Sequence, residues 1–331
     1  MRYAGIDLHR RFLVVCVVDG RGRSRKPRRF ECRDVEGIRS FFEKLGAFQA
    51  VIEATGGYRW LYDLLDPLGK VVLAHALRLR AIVAGRAKTD RLDAALLAKL
   101  LRAELIPESY VPPHDYQELR DFTRGRSRLS RRMTQAKNEL HALLRARNLH
   151  SPYVTTLCKR GLAWIRRQDF GIPGNALKEE LLRRMEHFRS ELAGFDDGLA
   201  LMAKRFPEVE ALTCLHGIGL YSALLIVGEL GETERFTDSR KVGAYAGLTA
   251  RVSQSGETCY HGHVTHQGSP WLRWILVEAA MRLVRRDKKL HNFYERIRKR
   301  SSAKIARVAV ARKLAGICWV RLRRWHREKA A

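Results

Sequence analysis

The chain has 331 residues, enough for two or three domains, and 46% of them are apolar, so a substantial core can be buried. Lys and Arg total 63 against 35 Asp and Glu, a formal net charge of +28 spread over every region, which is the footprint of a polyanion-binding surface rather than a detachable basic tail. No apolar run is long enough to span a bilayer. The six cysteines (Cys16, Cys32, Cys158, Cys214, Cys259 and Cys318) form no C-x-x-C pair, which excludes a disulfide framework and fits a reducing cytosol.

The opening MRYAGIDLH runs straight into an apolar strand pattern with no signal peptide, so a cytoplasmic protein is expected. Residues 3–9 and 12–18 read as one long strand or its continuation into a bend, followed by a turn at Asp19-Gly20-Arg21-Gly22 and a returning strand at 28–33 behind Pro27. Helical spacing covers 35–45 and 60–68, short apolar strands 50–53 and 71–74, and an Ala- and Leu-rich helix 90–103. Strands first in a meander, then alternating with helices, predict a mixed sheet covered by helices.

Pro112-Pro113 punctuates the chain. Beyond it, Leu119, Phe122, Leu129, Met133, Ala136, Leu140 and Leu143 keep heptad spacing, interrupted at Arg126. A second run goes from Leu177 through Leu181, Met185, Phe188, Leu192, Phe195, Leu199 and Met202 to Phe206. Gly171 to Gly174 reads as the break between them, so an antiparallel helical hairpin, a self-association stalk or two helices of a bundle all fit. From about Pro207 the chain is mainly helical, with a polar insertion at 251–269. Its last part, 282–327, is densely basic with Phe293, Tyr294, Trp319 and Trp325 interleaved.

The acidic residues carry the chemistry. Asp7 stands in an apolar strand and Glu53 at the end of another, where an ionised carboxylate is costly unless paired or bound to metal. Asp90 and Asp93, in KTDRLDA, share a helix face. They also suit an N-cap and a first-turn acid complementing the helix dipole. Together the four acids offer the hard oxygen donors that Mg²⁺ or Mn²⁺ requires in phosphodiester chemistry.

The stretches GIDLH, VIEATGGY, KTDRLDA, LHGIGLYSALLIVGELG, FTDSRKVGAYAGLT, SQSGE and HQGSPWLRWILVEAA follow one another through nearly the whole chain. In them the sequence resembles the DEDD-type insertion-sequence transposases. The resemblance implies an α/β, ribonuclease-H-like (RuvC-like) catalytic domain over 1–110, a helical coiled-coil hairpin for linkage and oligomerisation over 111–206, and a mainly α transposase domain over 207–331. It maps the metal-binding tetrad onto Asp7, Glu53, Asp90 and Asp93. It assigns Ser255, in SQSGE, as a nucleophile joined covalently to DNA and delivered from another domain or subunit. It further implies donor and target DNA, a structured guide RNA read more by shape than by sequence, and a homo-oligomer, dimer or tetramer, off the membrane.

Read from the residues alone, a serine beside a glycine is usually a turn residue; Ser253 and Ser269 are the rival serines. His216-Gly217-Ile218-Gly219 resembles a helix-hairpin-helix turn that would let backbone N–H groups approach phosphate. Cys259, His261 and His263 alternate as on one strand face, with His266 nearby, a spacing open to zinc or to a basic hairpin facing phosphate. His266 stands where the family usually has a basic residue after the Thr265 position, which makes that charge pH-dependent. Two other classes stay open: a RuvC-like nuclease or junction resolvase that activates water, and a non-catalytic nucleic-acid binder. An actin-like ATPase is disfavoured by the charge and by the lack of a glycine-rich phosphate loop.

Overall fold

The structure, a computed structural model, describes residues 1–83, 90–255, 258–265 and 267–330. The chain divides into two compact units, Met1–Val111 and Pro112–Ala331.

The first unit is built from β1 (Arg2–Leu8), β2 (Phe12–Asp19), β3 (Arg28–Glu31), α1 (Val35–Glu43), β4 (Phe48–Glu53), α2 (Arg59–Leu65), β5 (Lys70–Ala74), α3 (Ala76–Val83) and α4 (Asp90–Arg102). Its sheet runs β3-β2-β1-β4-β5. The β1–β2 and β2–β3 pairs are antiparallel, and β4 and β5 continue parallel to β1. Residues 3–9 and 12–18, expected as one long strand or its continuation into a bend, form a tight hairpin closed by His9 N donating to Phe12 O at 2.9 Å. One strand that long would run about 50 Å, and the exposed Arg10 and Arg11 interrupt its apolar pattern.

Strict alternation divides the sheet between two cores. Ala4, Ile6, Leu13, Val15, Ala50, Ile52, Val71 and Leu73 pack with Ile38 and Phe42 of α1 and Leu61 and Leu65 of α2. The opposite face, through Val14, Cys16, Val51, Val72 and Ala74, packs on Ala94, Leu97 and Leu101 of α4 and Leu79 of α3. On β3 the side chains of Arg28, Arg29 and Glu31 are exposed. Along β5 a strap passes through residues 105–109: His75 N donates to Pro107 O at 2.8 Å and Ser109 N to Leu73 O at 2.7 Å.

The second unit holds α5 (His114–Arg145), α6 (Lys159–Arg167), α7 (Gly171–Arg205), α8 (Glu210–Thr213), α9 (Leu220–Leu230), α10 (Ser239–Tyr245), β6 (Ala250–Ser255), β7 (Thr258–Val264), α11 (Pro270–Val284), α12 (Lys288–Arg300) and α13 (Ala303–Ala330). The heptad runs form α5 and α7, which pair antiparallel within the chain. Arg205 meets Asp115 and Glu118, Phe122 stacks on Phe195, and Arg184 meets Glu139. Arg126, which breaks the heptad, pairs with Asp196 of α7 at 2.7 Å. Gly171 to Gly174 is not the break between the runs. It is the first turn of α7, where Pro173 costs no internal hydrogen bond. The polar stretch after α10 is an antiparallel hairpin, β6–β7. Apolar α9 lies at the centre of the unit, buried without interruption from Ala223 to Leu230 among α5, α11 and α7.

Candidate functional site

Strand parity places two of the expected acids. Asp7 follows Tyr3 and Gly5 on the α4 face of β1, and Glu53 follows Val51 on the same face of β4. The parallel register pairs Ile6 with Ile52, so Asp7 and Glu53 stand one step further on, level with each other at the carboxyl end of adjacent strands. Such adjacent strands lie about 4.8 Å apart.

Gly5 brings α4 to this edge. A Cβ there would lie 2.1 Å from Ala94 O and 2.4 Å from Ala98 N, so only glycine lets the helix backbone rest on the strand. Leu97 and Leu101 pack near Tyr3, while Ala94 packs near Val14, the residue level with Asp7. The helix therefore runs back along β1, and its first turn overlies the carboxyl end of the sheet. Asp93 stands in that turn and Asp90 opens it; the Asp90 side chain lies outside the described residues. The sequence drew attention to the acids but not to Gly5, although both belong to GIDLH.

His9 Nε2 lies 3.0 Å from Asp7 Oδ2, and its ring stacks on Phe12 at 4.5 Å. Asp7 is mostly sheltered, with 18% of its side chain exposed. Among the described residues no cation pairs with Glu53 or Asp93. Cys16, on the same face of β2, is buried; burial raises its thiol above the ordinary value, which keeps it neutral. Among the described residues the donors at this edge are carboxylate oxygens beside the His9 imidazole, a set that fits a hard divalent cation.

Among the described residues, one trio of potential ligands has its donor atoms within 4.8 Å of one another: His114, Asp115 and Glu118, at the start of α5. Its charge is already met. Arg205 Nη2 donates to Asp115 and Glu118 at 2.8 Å each. The hydrogen bond to Glu118 leads in holding the guanidinium above its usual range. That trio ties α5 to α7. Asp7, Glu53 and Asp93 share their edge at wider spacing.

Ser255 ends β6 opposite Thr258, and Ser253 pairs with Tyr260. The side chains of Ser253, Ser255, Cys259, His261 and His263, and all of His266, lie outside the described residues. Ser269 has a clear structural task. Its Oγ accepts from Leu272 N at 3.1 Å as the N-cap of α11, and it donates to Glu229 Oε2 at 2.7 Å. In the HGIG turn, Gly217 has φ +87°, and a Cβ would meet Arg282 Cβ at 2.6 Å, so this glycine serves packing on α11. Gly219, at the start of α9, has open space around it.

Two aromatics of the basic C-terminal stretch belong to the core. Trp319 is buried and donates Nε1 to Thr233 O at 2.9 Å, and Tyr294 is buried too. Cationic stacks lie along α5 instead: exposed Arg131 lies 4.3 Å from the Trp271 ring, and half-buried Arg126 lies 4.4 Å from that of Tyr221. No helix among the described residues is long and apolar enough to cross a membrane.

Comparison with known proteins accounts for the spread of motifs. Residues 4–148 match a family model described as a transposase of the DEDD, IS110 type, and residues 209–295 match the transposase family IS116/IS110/IS902. The transposase for insertion sequence element IS1111A of Coxiella burnetii is 24% identical over 98% of this chain and 90% of its own. A Pseudomonas aeruginosa protein described as a family 20 transposase is 26% identical over 87% of each. A Sinorhizobium fredii protein carrying the transposase name y4qE is 30% identical over 66% of this chain, and the match spans 54% of that protein's length. With both family models matched in order, and relatives aligned almost end to end, the chain belongs to the DEDD-type IS110 family of insertion-sequence transposases, enzymes that act on DNA.

Proposed function

We propose that the chain cuts and rejoins DNA for its own insertion sequence, with a ribonuclease-H-like metal site in the first unit and Ser255 as the nucleophile. One observation carries the metal reading: Asp7 and Glu53 stand level on one sheet face, with the first turn of α4 and Asp93 above them. The strand order, with an antiparallel β1–β3 meander and parallel β4 and β5, supports the fold reading. Asp7, Glu53, Asp90 and Asp93 would hold Mg²⁺ or Mn²⁺, as one ion or two. When bound, the ion lowers the pKa of an oxygen nucleophile and neutralises charge on the phosphate.

The chain's residues do the rest. Ser255 Oγ forms a bond to phosphorus as one phosphodiester P–O bond breaks. The serine proton passes to a carboxylate, and the leaving deoxyribose oxygen takes one up. The phosphoserine diester keeps the bond energy, so the reverse attack rejoins DNA without an external energy source. His9, beside Asp7, fixes that carboxylate's orientation. A structured RNA guide and a dimer or tetramer complete the reading, both on family grounds.

Asp7→Asn and Asp93→Asn are expected to abolish Mg²⁺-dependent strand cleavage while the protein stays folded. Its Tm in chelator should not fall, because like charges are relieved. Denaturing gels of wild type with junction DNA of its element and RNA from the element's flanks should show a slow-migrating protein–DNA adduct. Ser255→Ala should remove it and Ser253→Ala should not. Cleavage at the wild-type rate by either Asn variant refutes the metal site. Normal cleavage without an adduct by Ser255→Ala transfers the function to a water-activating nuclease.

A further inference from the structure

The β6–β7 hairpin ends its first strand at Ser255, and both of its legs are rooted in one buried ionic network. Glu229, 1% exposed within apolar α9, receives Arg124 Nε at 2.6 Å and Nη2 at 2.9 Å. It also accepts Ser269 Oγ at 2.7 Å. One turn earlier on α5, Arg120 is 7% exposed. It donates Nε to Gly228 O at 2.6 Å, and Nη2 to Glu229 O at 2.8 Å and to Tyr245 Oη at 3.2 Å. Tyr245 ends α10 on the leg that enters β6; Ser269 precedes α11 on the leg that leaves β7.

The legs are also joined to each other. Ser269 N donates to Tyr245 O at 3.2 Å, and Thr265 N to Thr249 O at 3.0 Å. The approach leaves no room for side chains. A Cβ on Gly268, at φ +114°, would lie 2.1 Å from Tyr245 O, and one on Gly247, at φ +66°, would lie 2.6 Å from Gln267 O. Two arginines one turn apart on α5 therefore hold the two ends of the segment that carries Ser255, Arg120 through Tyr245 and Arg124 through Glu229 to Ser269.

We propose that Arg120, Arg124, Glu229 and Ser269 are positioning residues that fix the β6–β7 hairpin, and with it Ser255, relative to α5; the inference rests on the reading of Ser255 as the nucleophile. Stability alone does not call for such a network. Replacing a buried ion pair by well-packed apolar side chains is often neutral or stabilising. A bidentate guanidinium–carboxylate pair adds direction, because both hydrogen bonds must be met at once. Glu229 Oε2 accepts from Arg124 and from Ser269 together, so a displacement of the α11 leg would strain the α5 pair. Burial by itself would lower the Arg124 guanidinium, but the hydrogen bond and charge of Glu229 overturn that and leave it raised, hence fully charged.

The test uses full-length protein with junction DNA and flank RNA of its element. Ser269→Ala should slow single-turnover adduct formation roughly tenfold to a hundredfold, with DNA affinity unchanged. Ser269→Thr, which keeps the hydroxyl and the cap, should restore most of the rate. The double variant Arg124→Met with Glu229→Met should melt no earlier than wild type yet stay slow. Backbone hydrogen exchange should quicken in β6 and β7 of Ser269→Ala but not in α9. Wild-type rates in Ser269→Ala, or recovery of rate along with stability in the double variant, overturn the proposal, as does unchanged exchange in the hairpin. A failed Ser255 reading shows separately, as an adduct that survives Ser255→Ala; the exchange result then decides alone whether the network holds the hairpin.

Discussion

Gly5 is the residue on which the carboxylate edge depends. Its missing side chain lets the backbone of α4 rest on β1, and Asp93 arrives at the edge as a consequence. A methyl group there meets backbone on both nearest contacts, which cannot rotate away as a flexible side chain would. Gly5→Ala should cost about 1–3 kcal/mol of stability, and melting should fall by several degrees. Gly57→Ala has open space around it and should leave Tm unchanged. A calorimetric scan of the two variants checks this; equal melting would mean that α4 does not lie where described. Asp7 and Glu53 were legible in the sequence because a carboxylate in an apolar strand is a local anomaly. Gly5 was not, because its reason is a helix almost ninety positions away. The Arg120–Arg124–Glu229–Ser269 network escaped for the same cause: each of its contacts joins residues forty or more positions apart.

At the scale of elements, those with strong periodicity were readable and those set by neighbours were not. The spacing of Ile38, Phe41 and Phe42 marked α1, and the heptads marked α5 and α7. The β1–β2 turn contains neither Gly nor Pro, and only the charged pair Arg10-Arg11 marks it. The short helices α3 and α6 span too few turns to stand out in the sequence. The hairpin β6–β7 stands in the sequence as a polar insertion in which only the alternation of Cys259, His261 and His263 points to a strand, because it carries few large apolar residues. Capping decides how its root holds. Asp238 accepts from Arg240 N at 2.7 Å and Lys241 N at 3.1 Å at the start of α10. These bonds, the one from Lys241 foremost, hold its carboxyl below the ordinary range. A depressed folded value means that its contribution is complete above the unfolded value near 3.9 and is lost as pH falls through the folded one. The Tm gap between wild type and Asp238→Ala should therefore be widest near neutrality and narrow below about pH 4. A gap independent of pH would show that the charge plays no part.

For the whole molecule, charge is the dominant fact. With a net +28, binding to generic duplex DNA should involve many Lys and Arg contacts, each releasing counterions. If six to ten phosphates are met, affinity should fall by roughly 10³–10⁵ between 50 and 200 mM salt. A filter-binding titration reads the slope directly, and a flat log–log plot would mean that the basic surface does not contact the phosphates. The same preparation should sediment as a dimer or larger. A monomer at every concentration, with and without nucleic acid, would count against the oligomeric reading.

The strap along β5 has a further meaning for how the chain is made. Translation delivers β5 with its outer edge open, and about thirty more residues must follow before residues 105–109 can cover it. At ~5–20 residues per second this is an interval of seconds. Throughout it, a row of unsatisfied backbone N–H and C=O groups, flanked by the apolar side chains of Val71, Val72 and Leu73, is free to pair with another nascent chain. Neighbouring ribosomes on one message hold such chains close together. The edge of the first unit is therefore closed only when the segment leading to Val111 has emerged.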